Sequence, residues 1–395
     1  MQYDEVQNQR KRILFVTNVF SYGGTEKHLL ELLKGLADPT VQSIVLCTDS
    51  DPFTERLKEG CRASVAIRLE KSLKSISDWR RVYRDIHPDV AVLVYGTIWM
   101  IPWLAAVAAW LAGVRKLYAI HQLMPVPPSE PRVQKIQSPR DVWRRVFGKR
   151  VRQMLRARVA SYLCSNTICV SDAIRDSLIK QYGFPARKLL TIYNGVSSTE
   201  FAPDPNDGQA IRAKLGILPD EFVLVCAARL SPEKGIDILL SAMSRIIRKA
   251  PSCKCILVGE GHLRETLTER VKSLGLGHHV FMVGFQADVR PYLRAADAFV
   301  LTSHIEGLPI SVLEAMAIGL PCVVTNVGGN AEAVAHHVNG LVVSPGSVEE
   351  VVEAISYLMT HPQERTCMGH ASRTRVSEKF EIEAKMTDIK RLILS

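Results

Sequence analysis

Apolar runs of strand length alternate along this chain with amphipathic segments of helix length, and that alternation restricts the fold more than any other feature. "RILFVTNVF" is strand-like, "SYGG" is a turn, and "TEKHLLELLKGL" repeats its apolar residues at helical spacing. "QSIVLCT", "DVAVLVYG", "KLYAIHQ", "TICVSDAI" and "LLTIYNGV" continue the series. Strands separated by helices lie parallel in a sheet covered on both faces. The pattern breaks at "SSTEFAPDPNDGQA", which is rich in Pro, Asp and Gly and reads as a linker. It resumes with "FVLVCAARL", "CKCILVGEG", "VFMVGF", "AFVLTS" and "PCVVTN". With 395 residues, more than one ordinary core holds, the expectation is an α/β protein of two tandem Rossmann-like domains, 1–198 and 199–376.

A hydrophobic content of 47% with 23% charged residues suits a globular protein in water. The chain opens on "MQYDEVQNQRKR", polar and without a secretion signal, so a cytoplasmic location is expected. Nine scattered cysteines without a CxxC pair suggest neither disulfides nor a zinc site. "WMIPWLAAVAAWLAGV" carries no charge, but at 99–114 it is shorter than the roughly 20 residues a bilayer needs and reads as a buried crossover helix. The net charge of +10 is uneven. Residues 1–200 hold 30 Lys and Arg against 18 Asp and Glu, and the rest hold 20 against 22. A basic first half attracts an anionic partner: a phosphorylated ligand, a membrane surface or nucleic acid. Nucleic acid is disfavoured, because no aromatics interleave as they do on an RNA-binding sheet.

Doubly wound sheets bind ligands at the carboxyl ends of their strands. There the chain lacks both the GxGxxG dinucleotide fingerprint and the GxxxxGK[ST] phosphate loop. It offers instead Gly23 and Gly24 at a helix start, where an anion can approach free N–H groups, and the cations Arg229 and Lys234 in "AARLSPEKGI". In "SHIEGLPISVLEAMAIGLP", Glu306 and Glu314 are seven residues apart across a Gly-Leu-Pro corner. Pro309 suits a helix start, leaving N–H groups around Gly307, Leu308 and Ile310 for an anion. Glu314 then lies about 8 Å along the helix at ~1.5 Å per residue. A nucleoside diphosphate sugar matches that spacing, with its diphosphate at the helix start and carboxylates on its paired hydroxyls.

The E-x7-E pair, "RLSPEKG", "LVGEG", "VGF" and "IYNGV", in this order, resemble the retaining glycosyltransferases of family 4, along nearly the whole chain and most densely over 222–344. The resemblance implies the GT-B fold: two Rossmann-like domains facing a central cleft, with a C-terminal helix over 377–395 crossing back to the first. It implies that Arg229 and Lys234 neutralise the leaving diphosphate, that Glu306 attends the donor sugar and that Glu314 holds the ribose. Gly259, Gly284 and Phe285 join the donor site. His121, ending "KLYAIH", matches a histidine that faces the transferred sugar; the lesser alternative is a hydrogen-bonded core histidine. Gln122 stands where the family usually has an acidic or amide residue. The implied chemistry retains the anomeric configuration, a donor phosphate oxygen taking the acceptor's proton, with no metal and no cofactor beyond the nucleotide sugar. UDP-sugars and GDP-mannose both fit. A nucleotide-sugar epimerase of the same fold is the alternative, as is transfer to a small soluble acceptor.

The acceptor is read from "RDVWRRVFGKRVRQMLRARVA", 140–160. As a helix it gathers Trp143, Val146, Phe147, Val151, Met154 and Leu155 on one face and Arg145, Lys149, Arg152 and Arg156 on another. A basic amphipathic helix with a Trp suits a membrane interface, and a core-facing domain helix is the plain alternative. With the Pro-rich loop "QLMPVPPSEP" before it, the segment points to peripheral attachment at the inner face of a cell membrane. A glycan or lipid-linked acceptor of the cell envelope follows.

Overall fold

The computed structural model describes residues 10–17, 24–47, 65–69, 73–97, 100–125 and 139–395. Two compact units emerge, one of Met1–Tyr193 with Met386–Ser395, the other of Asn194–Lys385.

In the first unit seven described strands form one sheet in the order β3-β2-β1-β4-β5-β6-β7. They are β1 Lys11–Thr17, β2 Val41–Cys47, β3 Val65–Leu69, β4 Val90–Tyr95, β5 Lys116–His121, β6 Asn166–Cys169 and β7 Leu189–Thr191. All pair in parallel. β4 is buried at every position, as a central strand covered on both faces must be. The helices are α1 Gly24–Gly35, α2 Ile76–Ile86, α3 Trp103–Leu111, α4 Pro139–Leu163 and α5 Asp172–Lys180. α2 starts at a capping box, in which Ser75 accepts from the Asp78 N–H and Asp78 accepts from the Ser75 N–H. α3 is the crossover helix foreseen within 99–114, burying Ala105, Ala106, Ala108 and Ala109 while Trp110 stays exposed. Among the described residues no helix is long and apolar enough to cross a membrane.

The second unit has a sheet of six strands in the order β10-β9-β8-β11-β12-β13, also all parallel. These are β8 Phe222–Ala227, β9 Cys253–Val258, β10 Val280–Gly284, β11 Ala298–Leu301, β12 Cys322–Thr325 and β13 Gly340–Val343. Cys253 and Cys255 are buried thiols on β9, as their alternation implies. The helices are α6 Pro205–Leu215, α7 Ile236–Ile246, α8 Arg264–Ser273, α9 Arg290–Arg294, α10 Ile310–Ile318, α11 Asn330–Ala333, α12 Val348–Thr360, α13 Pro362–Arg375 and α14 Ile382–Leu394, the last ending within the first unit.

Two expectations are corrected here. The stretch 197–210 is not all linker: Asp204 caps α6 by accepting from the Asn206 N–H, Pro205 occupies the first turn, and Gly208 lets the helix lie on the Arg294 backbone. Residues that break a helix interior here start one. The division of the chain also falls at Tyr193/Asn194 rather than 198/199, and only Met386–Ser395 of the tail returns to the first unit. The reason is a pair of backbone bonds, Val196 N–H to Phe380 O at 2.9 Å and Ile382 N–H to Val196 O at 3.2 Å, which bind both segments into the second unit. The end of the tail is held in the first unit by Lys11 Nζ on the Leu394 carbonyl and by the Tyr118 hydroxyl on the Leu392 carbonyl.

Candidate active site

In the second sheet the strand order reverses between β8 and β11, and ligands of doubly wound sheets bind at such a reversal. Arg229 and Lys234 follow β8, while Glu306 and Glu314 follow β11. The two loops are fastened together. The Thr302 hydroxyl donates to the Gly235 carbonyl at 2.8 Å, and the His304 N–H donates to the Glu233 carbonyl at 2.8 Å. Gly235, at φ +58°, has no room for a side chain against the Thr302 carbonyl. A third loop closes from β12: the Thr325 hydroxyl donates to the Ser303 carbonyl at 2.6 Å, and Gly328 lies against the Glu306 carbonyl.

These contacts bring Lys234 Nζ to 2.7 Å from Glu306 Oε1. Ser303 Oγ donates to the same oxygen at 2.6 Å. Glu306 is buried, and the Lys234 side chain keeps only 16% of its exposure. The pair stands above β8, where burial pushes the Cys226 thiol up to about 12 while Lys234 and Glu306 act on it in opposite directions. Arg229 lies further out, its side chain 45% exposed and its guanidinium 3.9 Å from Glu233. Burial opposes charge on Glu233. Bonds from Ser231 and its own backbone N–H, with Arg229 and Lys234, outweigh that and hold its carboxyl below the ordinary range. The two cations foreseen as equals therefore differ: Lys234 is locked in a buried pair, and Arg229 stands at the surface.

Pro309 takes the extended conformation before α10 rather than its first helical position, and no side chain caps the helix. The N–H groups of Ile310 and Ser311 have no intrahelical acceptor. Gly307 and Leu308 are buried beside them, and Glu314, the fifth residue of α10, is buried as well. Gly259, at φ +140°, packs on the Ala228 carbonyl, and its N–H donates to the Gly284 carbonyl at 2.8 Å. These glycines bring β9 and β10 up to the loop of Arg229. Phe285 follows them, 40% exposed.

In the first unit the order reverses between β1 and β4, and β5 is the next strand. His121 ends β5, fully buried, edge-on to Tyr95 of β4 with ring centroids 5.1 Å apart. Among the described residues neither ring nitrogen makes a hydrogen bond of good geometry, and only the Leu123 backbone comes near enough to act on the ring, so the hydrogen-bonded core histidine of the plain reading is at most weakly realised. Burial lowers its pKa to about 3, the Leu123 backbone working weakly the other way. Gln122 is buried beside it. Gly24 is the first residue of α1, with no atom of the described residues near where a Cβ would lie, whereas Gly23 falls outside the described residues. Of the cationic helix, the backbone of α4 is described, but the side chains of Trp143, Arg145 and Lys149 and residues 126–131 of the Pro-rich loop are not. Val151, Leu155, Val159 and Tyr162 are exposed, Ala157, Ala160 and Ser161 are buried, and the Arg156 guanidinium lies 4.8 Å over the Trp103 ring. Val151, Leu155, Val159 and Tyr162 thus face solvent, beside the exposed Arg152 and Arg156, while Met154, of the foreseen apolar face, is half-buried.

Residues 22–200 match the family described as Glycosyltransferase Family 4, and residues 207–375 match that described as Glycosyl transferases group 1. Together the two matches make the chain a family 4-like glycosyltransferase. Among similar proteins is the UDP-Gal:alpha-D-GlcNAc-diphosphoundecaprenol alpha-1,3-galactosyltransferase of Escherichia coli, 25% identical over 94% of this chain and 93% of that protein. The GDP-mannose-dependent alpha-(1-6)-phosphatidylinositol monomannoside mannosyltransferase of Mycobacterium tuberculosis is 34% identical over 56% of this chain and 60% of its own. HepE of Anabaena, solved with UDP and glucose, shares the GT-B fold at a TM-score of 0.80 and 24% identity, covering 98% of this chain and 100% of that one.

Sequence reading of this glycosyltransferase missed Ser303 and the Gly328 loop, and it quoted Asn194 within "IYNGV" without giving it a role. Only the Gly-Gly of the last is a turn signal; a serine at a strand end is too common to single out, and an asparagine before a glycine does not show by itself which distant loop it reaches. Two buried histidines of the enzyme carry a pH signature. His28 of α1 is held by burial at a pKa of about 4 and His121 at about 3, against 6.5 in the unfolded chain. Below pH 6.5 the unfolded chain therefore binds protons that the folded protein refuses, and stability falls with pH. Between pH 7.5 and 5.0 each histidine should remove on the order of 2 kcal/mol from the first unit. Urea unfolding at the two pH values should show a shallower fall in His28→Phe and His121→Phe; an unchanged slope would mean that the rings titrate normally.

Proposed function

We propose that the enzyme is a retaining hexosyltransferase that moves a sugar from a nucleoside diphosphate, UDP foremost, to a hydroxyl of a lipid-linked glycan or glycolipid at the inner face of a cell membrane. The observation that carries it is the Lys234–Glu306 pair at the strand-order reversal, beside the uncapped start of α10. Lys234 has further N–H donors for a phosphate, and Arg229 adds a partly exposed cation beside it in the same loop. Glu306 spends Oε1 on Lys234 and Ser303, which leaves Oε2 to accept from sugar hydroxyls. Glu314 accepts from the ribose. His121, kept neutral by burial, serves a sugar hydroxyl.

In the transfer the bond from the anomeric carbon to the diphosphate oxygen breaks as that carbon bonds the acceptor oxygen from the same face. The acceptor's proton passes to the departing phosphate oxygen. Catalysis then consists of positioning and of charge stabilisation by Arg229, Lys234 and the helix N–H groups, with no step assigned to a metal. The Escherichia coli relative, aligned over nearly its whole length, names a UDP-sugar and a diphosphoundecaprenol-linked acceptor, and this supports the donor and the lipid. The exposed apolar stripe of α4 beside its cations supports a membrane contact.

A thermal-shift series with UDP-galactose, UDP-glucose, UDP-N-acetylglucosamine and GDP-mannose tests the donor. A ligand at 100 times its Kd stabilises by about 2.7 kcal/mol. A UDP-sugar should give the largest shift, and no shift with any of the four would overturn the reading.

A further inference from the structure

The motif "IYNGV" has so far no part in the chemistry, yet its asparagine reaches the donor loop. Asn194 is 3% exposed. Its Nδ2 donates to the Leu308 carbonyl at 2.7 Å, joining residues 114 apart in the chain. That carbonyl belongs to the peptide leading into Pro309, which has no N–H, and α10 begins one residue later without a side-chain cap. The orientation of this peptide sets where the free N–H groups of Ile310 and Ser311 point.

Asn194 is itself held firmly. Gly195 has no room for a side chain against Ile382, and Val196 is bonded on both sides, to Phe380 and to Ile382. The amide therefore acts from a fixed backbone. Its Oδ1 is also buried and has no hydrogen-bond partner among the described residues, so the amide is only half satisfied there. A residue kept for stability alone has both ends satisfied as a rule; here only the end that grips Leu308 is used.

We infer that Asn194 is a positioning residue for the donor diphosphate: it holds the Leu308 peptide so that the start of α10 presents its N–H groups to the phosphates. The inference rests on the nucleotide-sugar reading of this site. The base and ribose of the donor do not depend on this peptide, so loss of the Asn194 bond weakens diphosphate binding and leaves nucleoside binding alone.

The test compares UDP with uridine, and GDP with guanosine, by calorimetry and ligand-observed NMR on the full chain. It uses wild type, Asn194→Asp and Asn194→Ala. In Asn194→Asp an acceptor faces the Leu308 carbonyl at nearly constant shape, and in Asn194→Ala the grip is absent. For the nucleotide that wild type prefers, the ratio of diphosphate to nucleoside affinity should fall roughly 3- to 10-fold in both variants, as for one hydrogen bond. General loosening of the fold would lower both affinities together and leave the ratio unchanged, which would overturn the inference. Wild-type protein that binds neither UDP nor GDP would overturn the nucleotide-sugar reading, and this inference with it.

Discussion

Lys234→Ala is expected to damage the protein twice, in its stability and in its turnover. Its partner Glu306 has a side chain only 3% exposed and would keep Ser303 alone, a buried charge without its counter-ion. Breaking such a pair costs about 3–5 kcal/mol. The leaving diphosphate would also lose a preorganised cation, worth roughly 2–4 kcal/mol in the transition state, or a fall of about 10²-fold in kcat. Arg229→Ala separates the two effects. Its side chain is 45% exposed, so stability should change by about 0.5 kcal/mol or less while turnover falls by a similar factor. The double variant Lys234→Met with Glu306→Leu removes both charges and should recover much of the stability but none of the activity. Urea unfolding and initial rates of sugar transfer are the measurements. Near-wild-type turnover in either cation variant would remove that residue from the leaving-group role.

Sedimentation with anionic vesicles should respond almost as strongly. At roughly 100° per residue, Val151, Leu155, Val159 and Tyr162 share one stripe of α4, and Arg145, Lys149, Arg152 and Arg156 form the next. An exposed apolar stripe edged by cations can enter the interface while the charges meet the headgroups. Each cation near an anionic surface contributes about 1 kcal/mol, so changing all four to Gln should lower partitioning by roughly 10³-fold at low salt. High salt should weaken wild-type binding and leave the variant nearly unaffected, because the attraction is screened. Absent binding of wild type at low salt, or equal binding of the variant, would leave the stripe without a membrane role.

The α/β class, the two parallel sheets and the places of Arg229, Lys234, Glu306 and Glu314 were legible along the chain, because strand and helix periods are local properties and strand ends in such sheets carry ligands. The start of α6 was local too, yet its Asp204-Pro205 cap resembled a loop, since the same residues stop and start helices. Other features depended on which strands became neighbours. The reversal between β8 and β11 set Lys234 against Glu306, residues 72 apart, and the close packing of Gly235 and Gly328 fixed their distance. His121 sits at a strand end as its pattern implies, but its complete burial against Tyr95 follows from the pairing of β4 with β5. The reach of Asn194 to Leu308 has no periodic trace. Local pattern selects elements through backbone propensity and the burial of a face, whereas a contact between distant residues exists only once the register and packing of the whole unit have placed both partners.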